Sequence, residues 1–224
     1  MKVLITGGAG FLGARLARER LQRGSLRGQR IERLVLADLA ETRDAALRDD
    51  ARVRMQVGDL LAQMPALTAQ PFDAVFHLAS AVSAECEADF DLGLRSNLDT
   101  TRALLDACRA QSSRGGLAPL FVFSSSVAVY GADPALPLPA VVDDLTLPTP
   151  QSSYGIHKFI CEQLVADYTR KGYIDGRAAR LMTVSVRPGR PNGAASSFLS
   201  GIVREPPAGQ EAVCPVAPDM AVAL

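Results

Sequence analysis

The 224-residue chain has no net charge, two histidines and four cysteines. Each of these scarcities excludes something. Lys and Arg number 24 against 24 Asp and Glu, so nothing favours an electrostatic grip on nucleic acid or a membrane surface. His77 and His157 do not form a ligand-spaced pair and read as packing or surface residues. Cys86, Cys108, Cys161 and Cys214 contain no C-x-x-C, so a zinc site is not expected and the thiols read as reduced packing residues. No apolar run reaches the length of a membrane span, and glycines interrupt the first apolar stretch too early for a signal peptide. The expectation is a soluble cytoplasmic globule of one domain, or a domain and a half, with no metal and no nucleic-acid or membrane partner.

What the sequence does have is glycine in a set pattern. In "MKVLITGGAGFLG", Lys2 to Thr6 reads as a short apolar strand and runs straight into Gly7, Gly10 and Gly13. The following "FLGARLARERLQRG" has helical character, with Leu12 and Leu16 one turn apart and Gly24 as a stop. Gly7 permits a sharp turn, Gly10 lets backbone approach a ligand, and Gly13 lets the new helix pack against a sheet. The first turn of that helix, including Phe11 and Leu12, offers free N–H groups and a positive dipole end suited to a pyrophosphate. A tight strand-to-helix turn without a ligand is the alternative, and the setting decides between them.

That setting is an alternation of strands and helices. "ERLVLAD", "RVRMQVGD", "FDAVFHLAS", "PLFVFSSS" and "RAARLMTVSV" read as five further strands. Helical spacing joins Leu94, Leu98, Leu105 and Cys108 in one segment, and Ile156, Phe159, Ile160 and Leu164 form a stripe in another. Parallel strands need crossover helices, so the pattern predicts an α/β fold: a Rossmann-like, doubly wound parallel sheet that binds a dinucleotide. Asp38 ends the second strand, roughly 25 residues beyond the loop, where such folds place the acid that takes the ribose hydroxyls. A carboxylate there repels a 2′-phosphate and favours NAD over NADP; a plain surface Asp is the alternative. Asp59, followed by Leu60, stands at the equivalent end of the third strand, within reach of an adenine amino group.

The catalytic signal is "SSYGIHK". Tyr154 and Lys158 stand four apart on a predicted helix and so share a face. An ammonium beside a phenol favours the phenolate, which makes the pair an acid–base device able to take a proton from an alcohol. Its weight comes from the pairing with "FVFSSSVAVYG" at the end of the fifth strand, where a serine can hydrogen-bond the reacting oxygen.

These motifs, with "GGAGFLG", "VFHLAS" and "NLDTT" in the same order, resemble the extended short-chain dehydrogenase/reductase proteins of the NAD-dependent epimerase/dehydratase type, from Lys2 to about Arg190. The resemblance implies Ser126, Tyr154 and Lys158 as the catalytic set, with Lys158 also holding the nicotinamide ribose. It implies Ser124, Leu78 and Ala79 close to NAD, and Asn97 near the active site, with a buried amide that fixes a helix as the alternative for Asn97.

Three further stretches, "PTPQSSYG", "RPGRPNGAASSF" and "REPPAGQEAVCPV", are similar to those of family members that oxidise the 2-hydroxyl of a four-carbon sugar acid, D-erythronate, with NAD. Arg187, Arg190 and Arg204 are candidate carboxylate partners. Ser83, Asn192, Ser196 and Ser197 are candidate hydroxyl partners, and Ser126 meets the reacting oxygen. The expected partner is a small sugar acid, with self-association into a homo-oligomer left open. Residues 131–150 hold five prolines and read as a stiffened surface loop that borders the cleft or merely connects. Residues 1–186 are expected to form the NAD-binding domain. Residues 187–224, rich in proline and short of periodic apolar residues, read as the truncated start of a substrate-binding region. A nucleotide-sugar epimerase or dehydratase with retained NAD is the rival function, and a non-catalytic dinucleotide sensor is a further one.

Overall fold

The computed structural model describes residues 1–187 and 196–217. The central strands of its sheet carry continuous apolar residues because both faces are covered. β1 (Lys2–Thr6) is the clearest case, with Val3, Leu4 and Ile5 fully buried. Side chains alternate along a strand, so Leu4 enters one core with Val75, Leu105, Phe121 and Phe123, while Val3 and Ile5 enter the other with Ala17, Leu34 and Leu36.

Around β1 lie β4 (Arg33–Asp38), β5 (Val53–Val57), β6 (Ala74–His77), β7 (Leu120–Ser126) and β8 (Asp175–Leu181), all parallel, in the order β5-β4-β1-β6-β7-β8. Two-residue strands β2 (Ser25–Leu26) and β3 (Gln29–Arg30) form a separate antiparallel hairpin. The strand order reverses between β1 and β6. This is the doubly wound arrangement, and the switch point opens a crevice at the carboxyl ends of the strands.

Helix α1 (Phe11–Arg23) turns Gly13 and Ala17 toward the sheet; Leu12 points outward and Leu16 is half-buried. The short α2 (Ala45–Asp49) and α3 (Leu60–Leu67) follow β4 and β5. After β6 come α4 (Ser83–Ala88) and α5 (Phe90–Gly93), then a π-helical stretch, Leu94–Asp99, that runs into α6 (Thr100–Ser113). α7 (Ser153–Arg170) precedes β8, and α8 (Ser197–Arg204) is followed by a 3-10 turn, Pro206–Ala208. No described helix is long and apolar enough to cross a membrane.

Three expectations are corrected. The last strand runs Asp175–Leu181 rather than 177–186. Its partner β7 ends at Ser126, opposite Leu181, where the chain turns into a 3-10 segment, Val127–Val129, and leaves Met182 onward without a ladder. On α7 the stripe of Ile156, Phe159, Ile160 and Leu164 faces the core only in part: Leu164 packs against it, Ile156 and Ile160 are exposed, and the buried residues include Lys158, Cys161, Glu162 and Val165. Polar ties to the strand ends set the rotation of this helix, and apolar periodicity does not register them. Finally, the region after 187 contains a helix, with Phe198, Leu199, Ile202 and Val203 at helical spacing.

Candidate active site

The crevice at the switch point holds about 1200 Å³. Its first wall is the glycine turn. Gly7 has φ +68°, and a Cβ there would sit 2.9 Å from Ala79 N; a Cβ at Gly13 would collide with the Gly7 carbonyl. α1 therefore starts close against β1. Its N-cap, Gly10, is extended and supplies no side-chain cap, so the N–H groups of Phe11, Leu12 and Gly13 point into the crevice without intrahelical acceptors. The cradle that a side chain would fill, and the uncapped helix end, fit a dinucleotide pyrophosphate.

Asp38 lies on the same wall. Its Oδ2 accepts from Ala9 N at 2.9 Å and its Oδ1 from Leu39 N at 2.7 Å. These bonds hold the carboxylate at the rim and leave lone pairs for a diol. Asp59 is a helix cap rather than a strand end: it accepts from Ala62 N at 2.9 Å and pairs with Arg95 at 3.1 Å, which draws its carboxyl below the usual range. Asp59 and Leu60 both line the crevice.

Beneath the floor runs a hydrogen-bond chain that the sequence reading overlooked. Thr101 donates to Asn97 O at 2.6 Å, so its oxygen accepts from His77 Nε2 at 2.9 Å. His77 is fully buried and neutral, its pKa pushed down to about 3 by burial and then by Lys158. Nδ1 therefore accepts from Thr6 Oγ1 at 2.7 Å. Thr6 in turn accepts from Leu78 N and Ala79 N at 3.1 and 3.2 Å. Leu78 and Ala79 line the crevice, but their N–H groups are already used. Asn97 is buried and does not line the crevice. It binds Ser80, Ala81 and Cys86 and holds the 80–86 segment against the π-helical stretch, the role of a fixing amide.

The far wall carries the reacting groups. Ser126 ends β7 and caps the 3-10 turn through Ala128 N at 3.1 Å. At Gly155 a Cβ would strike the Ala128 carbonyl, so glycine lets the first turn of α7 pack against that turn, and Tyr154 and Ser126 line the crevice together. Lys158 is buried; its Nζ donates to Ser124 O at 2.8 Å and lies 5.4 Å from the centre of the Tyr154 ring. Burial pulls Lys158 down to about 8. It also pushes the phenol up, and the Ser126 hydroxyl pulls the other way. The expectation that Lys158 brings the phenol down is not met in this geometry: the net direction is up, because desolvation outweighs the Ser126 hydroxyl.

Substrate-side candidates separate. Ser83 and Arg187 line the crevice. Val186 takes φ +56°, a strained value for a β-branched residue, and the next amide, Arg187 N, donates to Ser200 Oγ at 3.1 Å. Arg204 is engaged by the Arg187 carbonyl at 2.6 Å and by Glu205 at 2.9 Å. Ser196 reaches the crevice, whereas Ser197 begins α8 and does not line it. Arg190 and Asn192 lie outside the described residues. Of the 131–150 loop, nothing lines the crevice.

The family model described as "NAD dependent epimerase/dehydratase family" matches residues 3–217. The chain belongs to that family. It is 56% identical to a D-erythronate dehydrogenase of Cupriavidus necator and 44% identical to one of Haemophilus influenzae, in each case over 98% of this chain and 66% of the relative. The chain thus spans just under two thirds of the length of these curated relatives. A solved structure titled as the nucleoside-diphosphate-sugar epimerase from Agrobacterium tumefaciens superposes with a TM-score of 0.87 at 44% identity, covering 97% of this chain and 63% of that one.

Proposed function

We propose that the protein oxidises the 2-hydroxyl of a small sugar acid, D-erythronate, to the 2-oxo acid with NAD. The observation that carries the reading is the convergence of Ser126, Tyr154 and a buried Lys158 in the same crevice as the glycine turn. Its support is the likeness to two dehydrogenases named for that substrate.

Gly7, the first turn of α1, Asp38, Ser124 and Lys158 are the residues that would hold NAD, which supplies the hydride acceptor when bound. Ser126 would hydrogen-bond the reacting oxygen, and Tyr154 Oη would take the hydroxyl proton. Lys158, mostly charged at neutral pH, would hold the nicotinamide ribose and keeps a positive charge over the Tyr154 ring. Arg187 would receive the substrate carboxylate, since it lines the crevice while the Arg204 guanidinium is tied to Glu205. Ser83 and Ser196 would meet hydroxyls. Residues 187–224 would then open the substrate-binding region.

The epimerase reading is favoured by one observation, the name carried by the Agrobacterium structure. An epimerase returns the hydride and keeps its cofactor; a dehydrogenase releases NADH. The test is NADH formation from a panel of sugar acids and nucleotide sugars. Turnover restricted to nucleotide sugars, with no net NADH, would overturn the dehydrogenase assignment. Absence of any turnover alongside tight NAD binding would point to a sensor.

A further inference from the structure

Tyr154, Lys158 and Glu162 stand four apart on one face of α7, and each faces a different serine at the end of β7. Tyr154 shares the crevice with Ser126, whose hydroxyl favours the phenolate; Lys158 donates to Ser124 O at 2.8 Å, and the Ser125 hydroxyl donates to Glu162 Oε1. The mechanism accounts for the first two pairings and leaves the third unexplained, because Glu162 is buried and does not line the crevice.

Arg180 of β8 grips this carboxylate on both oxygens. Its Nε lies 3.0 Å from Oε1 and 3.2 Å from Oε2, and its Nη2 lies 2.8 Å from Oε2. Nη1 donates to the Tyr130 hydroxyl, which donates onward to Asp143 O at 2.8 Å. The guanidinium carbon also lies 5.0 Å over the Tyr130 ring. The arrangement bridges β7, α7, β8 and the end of the turn that follows Ser126, with each donor directed at an acceptor. An enclosed ion pair of this kind adds little net stability over an apolar pair of the same volume, because desolvation offsets the attraction. What it does supply is direction. A bidentate fork fixes both distance and plane, which a lysine does not.

We propose that Arg180 and Glu162 are positioning residues that lock the register of α7 against β7, so that the Tyr154 hydroxyl faces Ser126. The clamp acts on Tyr154 through the backbone of the helix and touches neither substrate nor cofactor. The inference rests on the dehydrogenase reading only for the job Tyr154 performs.

The test is the double variant Glu162→Leu/Arg180→Met, which removes both charges together, studied beside Arg180→Lys and Ser125→Ala. Three quantities are read: the melting temperature, NAD affinity, and the titration of Tyr154 by ultraviolet difference against the same background carrying Tyr154→Phe. The double variant is expected to melt within a few degrees of the parent and to bind NAD nearly as well. Its Tyr154 midpoint should move upward by about half a unit or more, because the phenol shifts away from the Ser126 hydroxyl that favours the phenolate. Turnover should fall by about tenfold or more, and Arg180→Lys should not rescue it. An unchanged Tyr154 midpoint and unchanged turnover in the folded double variant would overturn the proposal and leave the pair a purely structural one. If the double variant does not fold, Ser125→Ala carries the same test: an upward midpoint supports the clamp, and an unmoved one sinks it. Should the parent fail to oxidise D-erythronate, the titration still decides the clamp, so the two ideas fail separately.

Discussion

Lys158 Nζ donates to the backbone carbonyl of Ser124 at 2.8 Å, fully enclosed between α7 and β7. A charged amine in that position is held at a cost to folding, and the cost is measurable. Its pKa falls from 10.5 unfolded to about 8 folded. Below about pH 8 both states are charged and the penalty is complete; as pH rises from about 8 toward 10.5 the folded amine neutralises first and the penalty fades. Lys158→Met is therefore expected to stabilise the fold at neutral pH by up to about 3 kcal/mol, less what is lost with the bond to Ser124 O. The gain should shrink at alkaline pH while activity stays abolished. Denaturant unfolding at two pH values checks it; a gain that grows with pH would contradict the assignment.

Tyr154→Phe removes the proton-transfer group and little else. NAD affinity should persist and turnover should drop by roughly a hundredfold to ten-thousandfold. Titration of NAD by calorimetry, paired with steady-state rates, separates the two. Near-normal turnover would exclude Tyr154 as the acid–base group.

Asp38→Asn leaves an acceptor at the rim but removes the charge that opposes a 2′-phosphate. The preference for NAD over NADP should narrow by about tenfold or more, read as the ratio of dissociation constants. Equal binding of both cofactors by the parent protein would remove Asp38 from the role.

Arg187→Met is expected to raise KM for the sugar acid by about tenfold to a hundredfold, the worth of a hydrogen bond to a charged group, with a smaller change in kcat. NAD affinity should not move, because the glycine turn and Asp38 are on the opposite wall. A KM that stays at the parent value would shift the carboxylate contact to another residue.

Much of this architecture was legible from local patterns. Lys2 to Thr6, the glycine spacing and the Tyr154–Lys158 interval are each set by rules that act over a few residues, and the folded chain gathers them at one crevice. What escaped is non-local or polar. The rotation of α7 follows from where Glu162 and Lys158 find partners on β7 and β8, so the apolar stripe of Ile156 and Ile160 pointed to the wrong face. The end of β8 depends on where β7 stops, which no residue between 175 and 186 reveals. His77 read as simple packing because its significance lies in Thr6 and Thr101, brought to it by the parallel pairing of β1 with β6 and by α6. The upward direction of Tyr154 reflects enclosure, a property of the assembled walls rather than of the Y-x-x-x-K spacing.

The run Ser124-Ser125-Ser126 carries one consequence for anyone reading the sequence as text. Three identical letters are three different parts. The Ser124 hydroxyl donates to His77 O at 3.1 Å, the Ser125 hydroxyl serves Glu162, and the Ser126 hydroxyl caps the turn at Ala128 N beside Tyr154 in the crevice. A neighbour cannot stand in for a lost one, because moving a single step along the strand points the hydroxyl at a different wall. The repetition is therefore not redundancy: like three identical keys cut for three locks, the serines differ only by address.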